Sequence, residues 1–183
     1  YNTPKNPRIL NLGCGLCREA IVLNNYFGEK PFGFDSKNVF LVGIDINEKK
    51  IEDARREHSH MDCRDGKVKY IPRENYQFIC GDATRLRDLV DGELDIVVAR
   101  HPNIIDQRDI WTRIFEEANI VTKDKGLFIG SSFTDFEHAY LRDCISDAGY
   151  LQCLDVRNIH SLYSDHLSPH ETSYDGNVLF ARK

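Results

Sequence analysis

Short apolar runs alternate along this chain with stretches whose apolar positions recur every three to four residues. The runs predict buried strands, and the periodic stretches predict helices packed by one face. Arg8–Leu12 is the first predicted strand, followed by a helix from about Cys17 to Asn25. Val39–Ile44 is the second, ending at Asp45, with Asn47 placed to cap a helix that runs to about His58. Tyr76–Cys80, Leu94–Ala99 and Gly126–Gly130 follow as strands, with a short helix near Arg85–Val90. Ile110, Ile114, Phe115, Ala118 and Val121 share one helical face, and Phe136, Tyr140, Leu141, Cys144, Ile145 and Ala148 share another. Leu151–Val156 and Val178–Ala181 are the last strands. Gly28–Asn38 reads as a loop, and Met61–Asn75 is a polar connection with no clear period.

Repeated strand–helix units with nearly continuous apolar strands predict an α/β fold, a doubly wound sheet covered on both faces. The connection Ser161–Asn177 differs, because it is polar, carries Pro169 and Gly176, and has no helical stripe. Parallel neighbours need a helical crossover, so the sheet is expected to be mostly parallel with an antiparallel last strand. The length of 183 residues suits a single domain spanning 1–183.

Composition narrows the functional classes. Hydrophobic residues make up 41% and charged residues 29%, as in ordinary globular proteins. A net charge of -5 without a long basic run does not favour nucleic acid as partner. No apolar run approaches the ~20 residues of a membrane span. Six cysteines are too sparse for a disulfide scaffold, so reduced thiols and a cytoplasmic location are expected. Cys14-x-x-Cys17 has the spacing of a redox or zinc pair, but no second Cys/His pair accompanies it, and no metal is expected. The chain begins at Tyr1, as a processed or trimmed piece would.

The candidate chemistry sits at the strand ends. The first strand runs into Gly13-Cys14-Gly15, whose glycines permit a sharp turn and a close ligand approach. The helix that follows presents free N–H groups to such a ligand. Asp45 ends the second strand, where a carboxylate can accept from ribose hydroxyls. Asp82 ends the third, where it can accept from an adenine amino group or simply cap a helix. Ligands of such sheets bind beyond the carboxyl ends of the strands, near the point where strand order reverses. The dinucleotide fingerprint Gly-x-Gly-x-x-Gly would need glycine where Arg18 stands. Asp45 also lies 30 residues beyond Gly15, farther than the ~20 usual in that motif. A nicotinamide cofactor is therefore disfavoured.

These residues resemble the class I S-adenosylmethionine-dependent methyltransferases. ILNLGCGLC is similar to that superfamily's first motif, VGIDIN to the next, and ICGDATRL to the one beside adenine. LDIVVARHPN and GLFIGSSF are similar to its fourth- and fifth-strand motifs, so the likeness spans about Ile9 to Arg182. The resemblance implies a Rossmann-like sheet and S-adenosylmethionine as cofactor. It implies cofactor contacts from Asn11, Gly13, Cys14, Gly15, Asp45, Ile46, Asp82, Ala83 and Arg100. Two positions depart from the pattern: Asn11 stands where an acid is usual, and Cys17 where a third glycine is common.

His101, in Ala99-Arg100-His101-Pro102, is the candidate catalytic residue. It either orients or deprotonates the acceptor, or it shapes the pocket floor. Pro102 is expected to hold it extended. Arg100 could instead bind an acidic substrate group or pair with a neighbouring acid. Trp111 reads as core, and Arg55, Arg56, His58, Arg85 and Arg87 as solvated surface. His160, Tyr163, His166, His170 and Tyr174 gather in the last polar loop without a ligand spacing. The function expected is methyl transfer to an unidentified acceptor, a small molecule before RNA or protein. The alternative is a non-catalytic cofactor-binding module. With little chain ahead of the first strand to serve as a lid, the acceptor side is expected to be open, completed by a partner subunit, or lost with a trimmed N-terminus.

Overall fold

A computed structural model describes residues 7–28, 39–63, 69–157 and 176–183. The loop Gly28–Asn38 lies outside them beyond Gly28, as do His160, Tyr163, His166, His170 and Tyr174.

Seven strands form one sheet: β1 (Arg8–Leu12), β2 (Phe40–Asp45), β5 (Tyr76–Cys80), β6 (Leu94–Arg100), β7 (Thr122–Ser132), β8 (Leu151–Arg157) and β9 (Asn177–Arg182). Their order is β5-β2-β1-β6-β7-β9-β8. The pairs from β5 to β7 are parallel, and β9 runs antiparallel to both β7 and β8. The mostly parallel sheet with an antiparallel last strand is the predicted one. Strand order reverses between β1 and β6, which places the switch point beside the Gly13 turn.

Strands β1, β2 and β6 are buried along most of their length and mostly apolar, because helices cover both faces. Ile9, Leu41, Phe78 and Ile96 face one core with Ile51 of α2 (Glu48–Glu57) and Ala20 of α1 (Ala20–Gly28). Leu10, Leu12, Val97 and Phe128 face the other, under α3 (Leu86–Leu89), α4 (Arg108–Val121) and α5 (Asp135–Asp147). Asn47 caps α2 as expected, its side chain accepting from Lys50 N at 3.1 Å. Thr134 and Glu137 form a reciprocal capping box that starts α5. Among the described residues, no helix is long and apolar enough to cross a membrane.

Five expectations of the fold need correction. His58, read as solvated surface, is buried at the end of α2 with its ring against Tyr76 and Phe78. Helix α1 starts at Ala20 rather than Cys17, because Cys17 has φ +51, a left-handed conformation that no helix continues. Strand β7 starts at Thr122, directly after α4, and reaches Ser132. Ile110 and Phe136 keep the helical period yet are 49% and 59% exposed. They lie in the first turns of α4 and α5, past the core, at the edge where those helices begin. The polar connection after α2 holds a two-stranded hairpin, β3 (Ser59–Asp62) and β4 (Lys69–Pro72), with Met61 opposite Tyr70.

Phe115 is fully buried and meets Phe128 edge-on at 5.2 Å between centroids. Phe115→Ala is expected to lower unfolding free energy by about 3–5 kcal/mol. Urea denaturation checks this, and a loss under about 1 kcal/mol would contradict the packing described.

Candidate functional site

Register aligns the C-terminal ends of the parallel strands. Leu12 pairs with both Ile44 and Ala99, Asp45 with Cys80, and Arg100 with Ser131. Gly13, Asp45, Asp82 and His101 therefore all follow strands along one edge of the sheet.

The turn after β1 is built on left-handed backbone. Gly13, Gly15 and Cys17 have φ of +61, +55 and +51. Glycine takes this conformation freely, and a Cβ makes it costly. Cys17 N–H donates to Cys14 O at 2.7 Å and closes the turn. Cys14 N–H donates to Ile44 O at 3.0 Å and anchors it to β2. A Cβ on Gly13 would lie 3.3 Å from Cη2 of Trp111, so that ring covers the turn. Trp111 thus does more than fill the core: it packs at 5.5 Å from Phe115 and reaches the glycines.

Asp45 joins two loops through one carboxylate. Its Oδ2 accepts from Gly15 N–H and its Oδ1 from Asn47 N–H, both at 2.8 Å. Ile46 beside it is 76% exposed, an apolar side chain presented at the edge. Asp82 caps the 3-10 turn Ala83–Arg85, and its Oδ1 accepts from Thr84 N at 2.9 Å and Thr84 Oγ1 at 2.8 Å. These two bonds hold its carboxyl below the usual carboxylate range. The capping and cofactor readings of Asp82 are compatible, because both bonds fall on a single oxygen. Ala83 is half-buried and Arg100 is exposed.

Asn11 lies beneath the turn, fully buried. Its Nδ2 donates to Cys17 Sγ at 3.4 Å, and its Oδ1 has no partner among the described residues. Cys14 and Cys17 are free thiols buried against Gly43. A bond with Cys17 and burial push the Cys14 thiol far up, so it sits as a neutral packing group.

His101 is not extended. Its φ is +47 although Pro102 follows it. Two contacts outweigh the local preference: His101 N–H donates to Ser131 O at 3.1 Å, and its ring stacks on Phe133 at 3.5 Å and 28°. Phe133 is itself fixed by its backbone, where its N–H and that of Thr134 donate to Glu137 Oε2 at 2.9 and 3.2 Å. Gly176 approaches so closely that a Cβ there would collide with the Phe133 carbonyl. Phe133 was not singled out from sequence; a large aromatic two residues past the Gly130-Ser131 strand end was its one visible signal.

Comparison with known proteins agrees with this geometry. A model of the methyltransferase domain family matches residues 4–165. No curated protein sequence matches the chain. A SAM-dependent methyltransferase from Methanosarcina mazei has a similar structure, with TM-score 0.68, 15% identity, and coverage of 99% of this chain and 94% of that one. Magnesium protoporphyrin IX methyltransferase from Synechocystis, solved with bound SAM, gives 0.60 at 16% identity, covering 100% and 72%. The [4+2]-cyclase SpnF gives 0.64 at 15%, covering 99% and 76%, so the fold extends to a protein named for other chemistry. The matched span, the sheet order and the edge geometry lead to one assignment: the chain belongs to the class I S-adenosylmethionine-dependent methyltransferase superfamily.

Proposed function

We propose that this protein transfers the methyl group of S-adenosylmethionine to a small-molecule acceptor. The observation that carries the reading is Asp45, whose carboxylate is held at the switch point by Gly15 N–H and Asn47 N–H. A carboxylate offers about four lone-pair sites. Two are used here, and the remaining ones suit the two hydroxyls of a ribose. The residues fit the cofactor in other respects too. The Gly13–Cys17 turn keeps side chains out of its path, Ile46 and Ala83 can flank an adenine, and Asp82 keeps one oxygen outside its cap. The orphaned Asn11 Oδ1 can accept from a donor above the turn, directly or through water, which would relieve a desolvation cost of about 1–3 kcal/mol.

Bound S-adenosylmethionine supplies an activated methyl group. The chain supplies alignment, which can be worth about 7–11 kcal/mol. His101 is the group to orient the acceptor or take its proton, because the stack on Phe133 fixes its ring at the edge beside the turn. Arg100 ends β6 beside His101 and is the choice for a charged contact with cofactor or acceptor. Ile105, Phe133 and Phe136, each 45% exposed or more, put apolar surface at that edge and support a partly apolar acceptor over a nucleic acid. Reduced, buried thiols at Cys14, Cys17 and Cys144 fit a cytoplasmic setting. The second reading, a cofactor-binding module without turnover, is motivated by Asn11 and Cys17 standing where the family pattern has an acid and a glycine.

Calorimetry with S-adenosylhomocysteine tests the cofactor site. Wild type is expected to bind, and Asp45→Ala to bind roughly tenfold more weakly or worse, as loss of bonds to a charged acceptor implies. Unchanged affinity in Asp45→Ala would remove the basis of the reading. Methyl-labelled S-adenosylmethionine added to fractionated cell extract tests turnover, and label in a small-molecule fraction is expected. Binding without transfer in any fraction would favour the module. His101→Ala is expected to cut that transfer by about a hundredfold or more while leaving S-adenosylhomocysteine binding intact; equal loss of both would make the residue structural.

Asp82 gives a pH prediction. Its native pKa is depressed, so its charged form stabilises the fold. That contribution is full above the unfolded value of about 3.9 and is lost as pH falls through the lower native value. Thr84→Val removes the hydroxyl bond and keeps the backbone one, so the carboxyl should titrate higher than in wild type. Carbon-detected NMR titration of the Asp82 carboxyl reads this directly, and identical midpoints would contradict the cap geometry.

A further inference from the structure

A groove of about 300 Å³ opens between α5 and the ends of β8 and β9. Asp135, His138, Arg142, Asp155, Arg157 and Asn177 line it. It lies on the same edge as the site above, since Ser132 pairs with Asn177, and Asn177 with Arg157. Ser131, which accepts from His101 N–H, is four residues before Asp135. Four residues span at most about 14 Å, so the groove is within a small molecule's length of His101.

The polar inventory of this groove is lopsided. Asp155 Oδ1 is taken by Nε2 of His138, while its Oδ2 accepts from Gln152 Nε2 at 3.3 Å and meets Arg142 Nη1 at 3.4 Å. Asp135 Oδ1 accepts from Asn177 Nδ2 at 3.1 Å, and its Oδ2 meets Arg157 Nη2 at 3.5 Å. All four carboxylate oxygens are engaged. Each guanidinium, with five N–H donors, has one long contact among the described residues. The side chains of Arg142 and Arg157 are 50% and 74% exposed, and such exposed pairs contribute little and exchange easily. Fastening α5 to the sheet is already accomplished deeper, where buried His138 bridges Ser132 Oγ, 3.0 Å from its Nδ1, to Asp155. The two arginines are thus surplus to that task, and they present donors, which call for an anion.

We propose that this groove is a subsite for the acidic group of the methyl acceptor, a carboxylate or phosphate monoester on a small molecule whose reactive end lies toward His101. The inference rests on the methyl-transfer reading. Two aspartates flank the arginines and the chain carries -5 overall, which suits one compact anion better than a nucleic-acid backbone.

Calorimetry at fixed ionic strength tests it on the full chain, with phenyl phosphate and 3-phenylpropionate as probes. Wild type is expected to bind at least one, and Arg142→Gln/Arg157→Gln to bind it roughly tenfold more weakly or worse. Shifts of the Asn177 side-chain amide and the His138 ring in NMR spectra of wild type locate the bound probe without any variant. The proposal fails if neither probe binds, if the double variant binds them equally well, or if the shifts fall elsewhere. It also fails if a short RNA oligomer binds through these arginines while both small acids do not. S-adenosylhomocysteine binding, measured in the same samples, keeps the two readings separate: its absence defeats the methyl-transfer reading, whereas its presence with no effect at the arginines defeats only the anion subsite.

Discussion

Everything at the functional edge depends on how the chain leaves β1. The Gly13–Cys17 turn is clamped from three sides. Asp45 Oδ2 holds Gly15 N–H, Ile44 O holds Cys14 N–H, and Trp111 lies over Gly13. From below, a Cβ on Gly43 would lie 2.9 Å from Cys14 Sγ and 3.2 Å from Cys17 Sγ, so the thiols fill the space that this glycine leaves. Gly13 and Gly15 take left-handed backbone freely, but Cys17 carries a Cβ there and persists only because its surroundings over-determine it. Here the parallel register of β1 with β2 supplies that constraint, because it brings Asp45 level with the turn.

The same logic applies one strand further along. A left-handed residue before proline costs on the order of 1–3 kcal/mol. His101 tolerates it because Ser131 O and the Phe133 ring both favour that geometry. Phe133 can serve as the anvil because its own backbone is pinned by Glu137 and crowded by Gly176. A side chain whose backbone strain is offset by contacts from β7, from α5 and from Gly176 just ahead of β9 is held in advance of any ligand. Preorganisation of that kind is what an aligned displacement needs from a protein.

How much of this was legible in the sequence follows from where each constraint lies. Strands β1, β2 and β6 were readable because burial on both faces leaves short, mostly apolar runs, and the edge strand β5 because buried Tyr76 and Phe78 alternate with exposed Gln77. The glycines and Asp45 were readable as strand-end punctuation. The start of α1 was not, since Cys17 carries no mark of its positive φ, where glycine would have carried one. Periodicity placed Ile110 and Phe136 on their helices correctly and could not show that those first turns overhang the core. The hairpin of β3 and β4 stayed hidden because its residues are half-buried or exposed on both strands, which erases the alternation that marks a half-buried sheet. His101 before Pro102 gave a misleading local signal, because the deciding contacts come from Ser131 and Phe133, distant in sequence. The arginine groove is beyond any local reading, as it forms where α5 meets β8 and β9 across the sheet, residues distant in sequence.

The functional edge also divides chemically where β1 adjoins β6. On the β1, β2 and β5 side, the strand ends present glycine turns and the carboxylates Asp45 and Asp82, partners for hydroxyls, amino groups and positive charge. On the β6, β7, β9 and β8 side they present His101, Phe133, Arg142 and Arg157, partners for a nucleophile with an apolar body and an anionic tail. On the reading proposed above, the cofactor would take the first half and the acceptor the second. They would then meet where β1 and β6 adjoin, the one place along the edge where both halves are in reach. Holding the two reactants in separate halves requires no base when the accepting atom itself arrives ionised, and on that reading His101 would take a proton only from an accepting atom that still carries one.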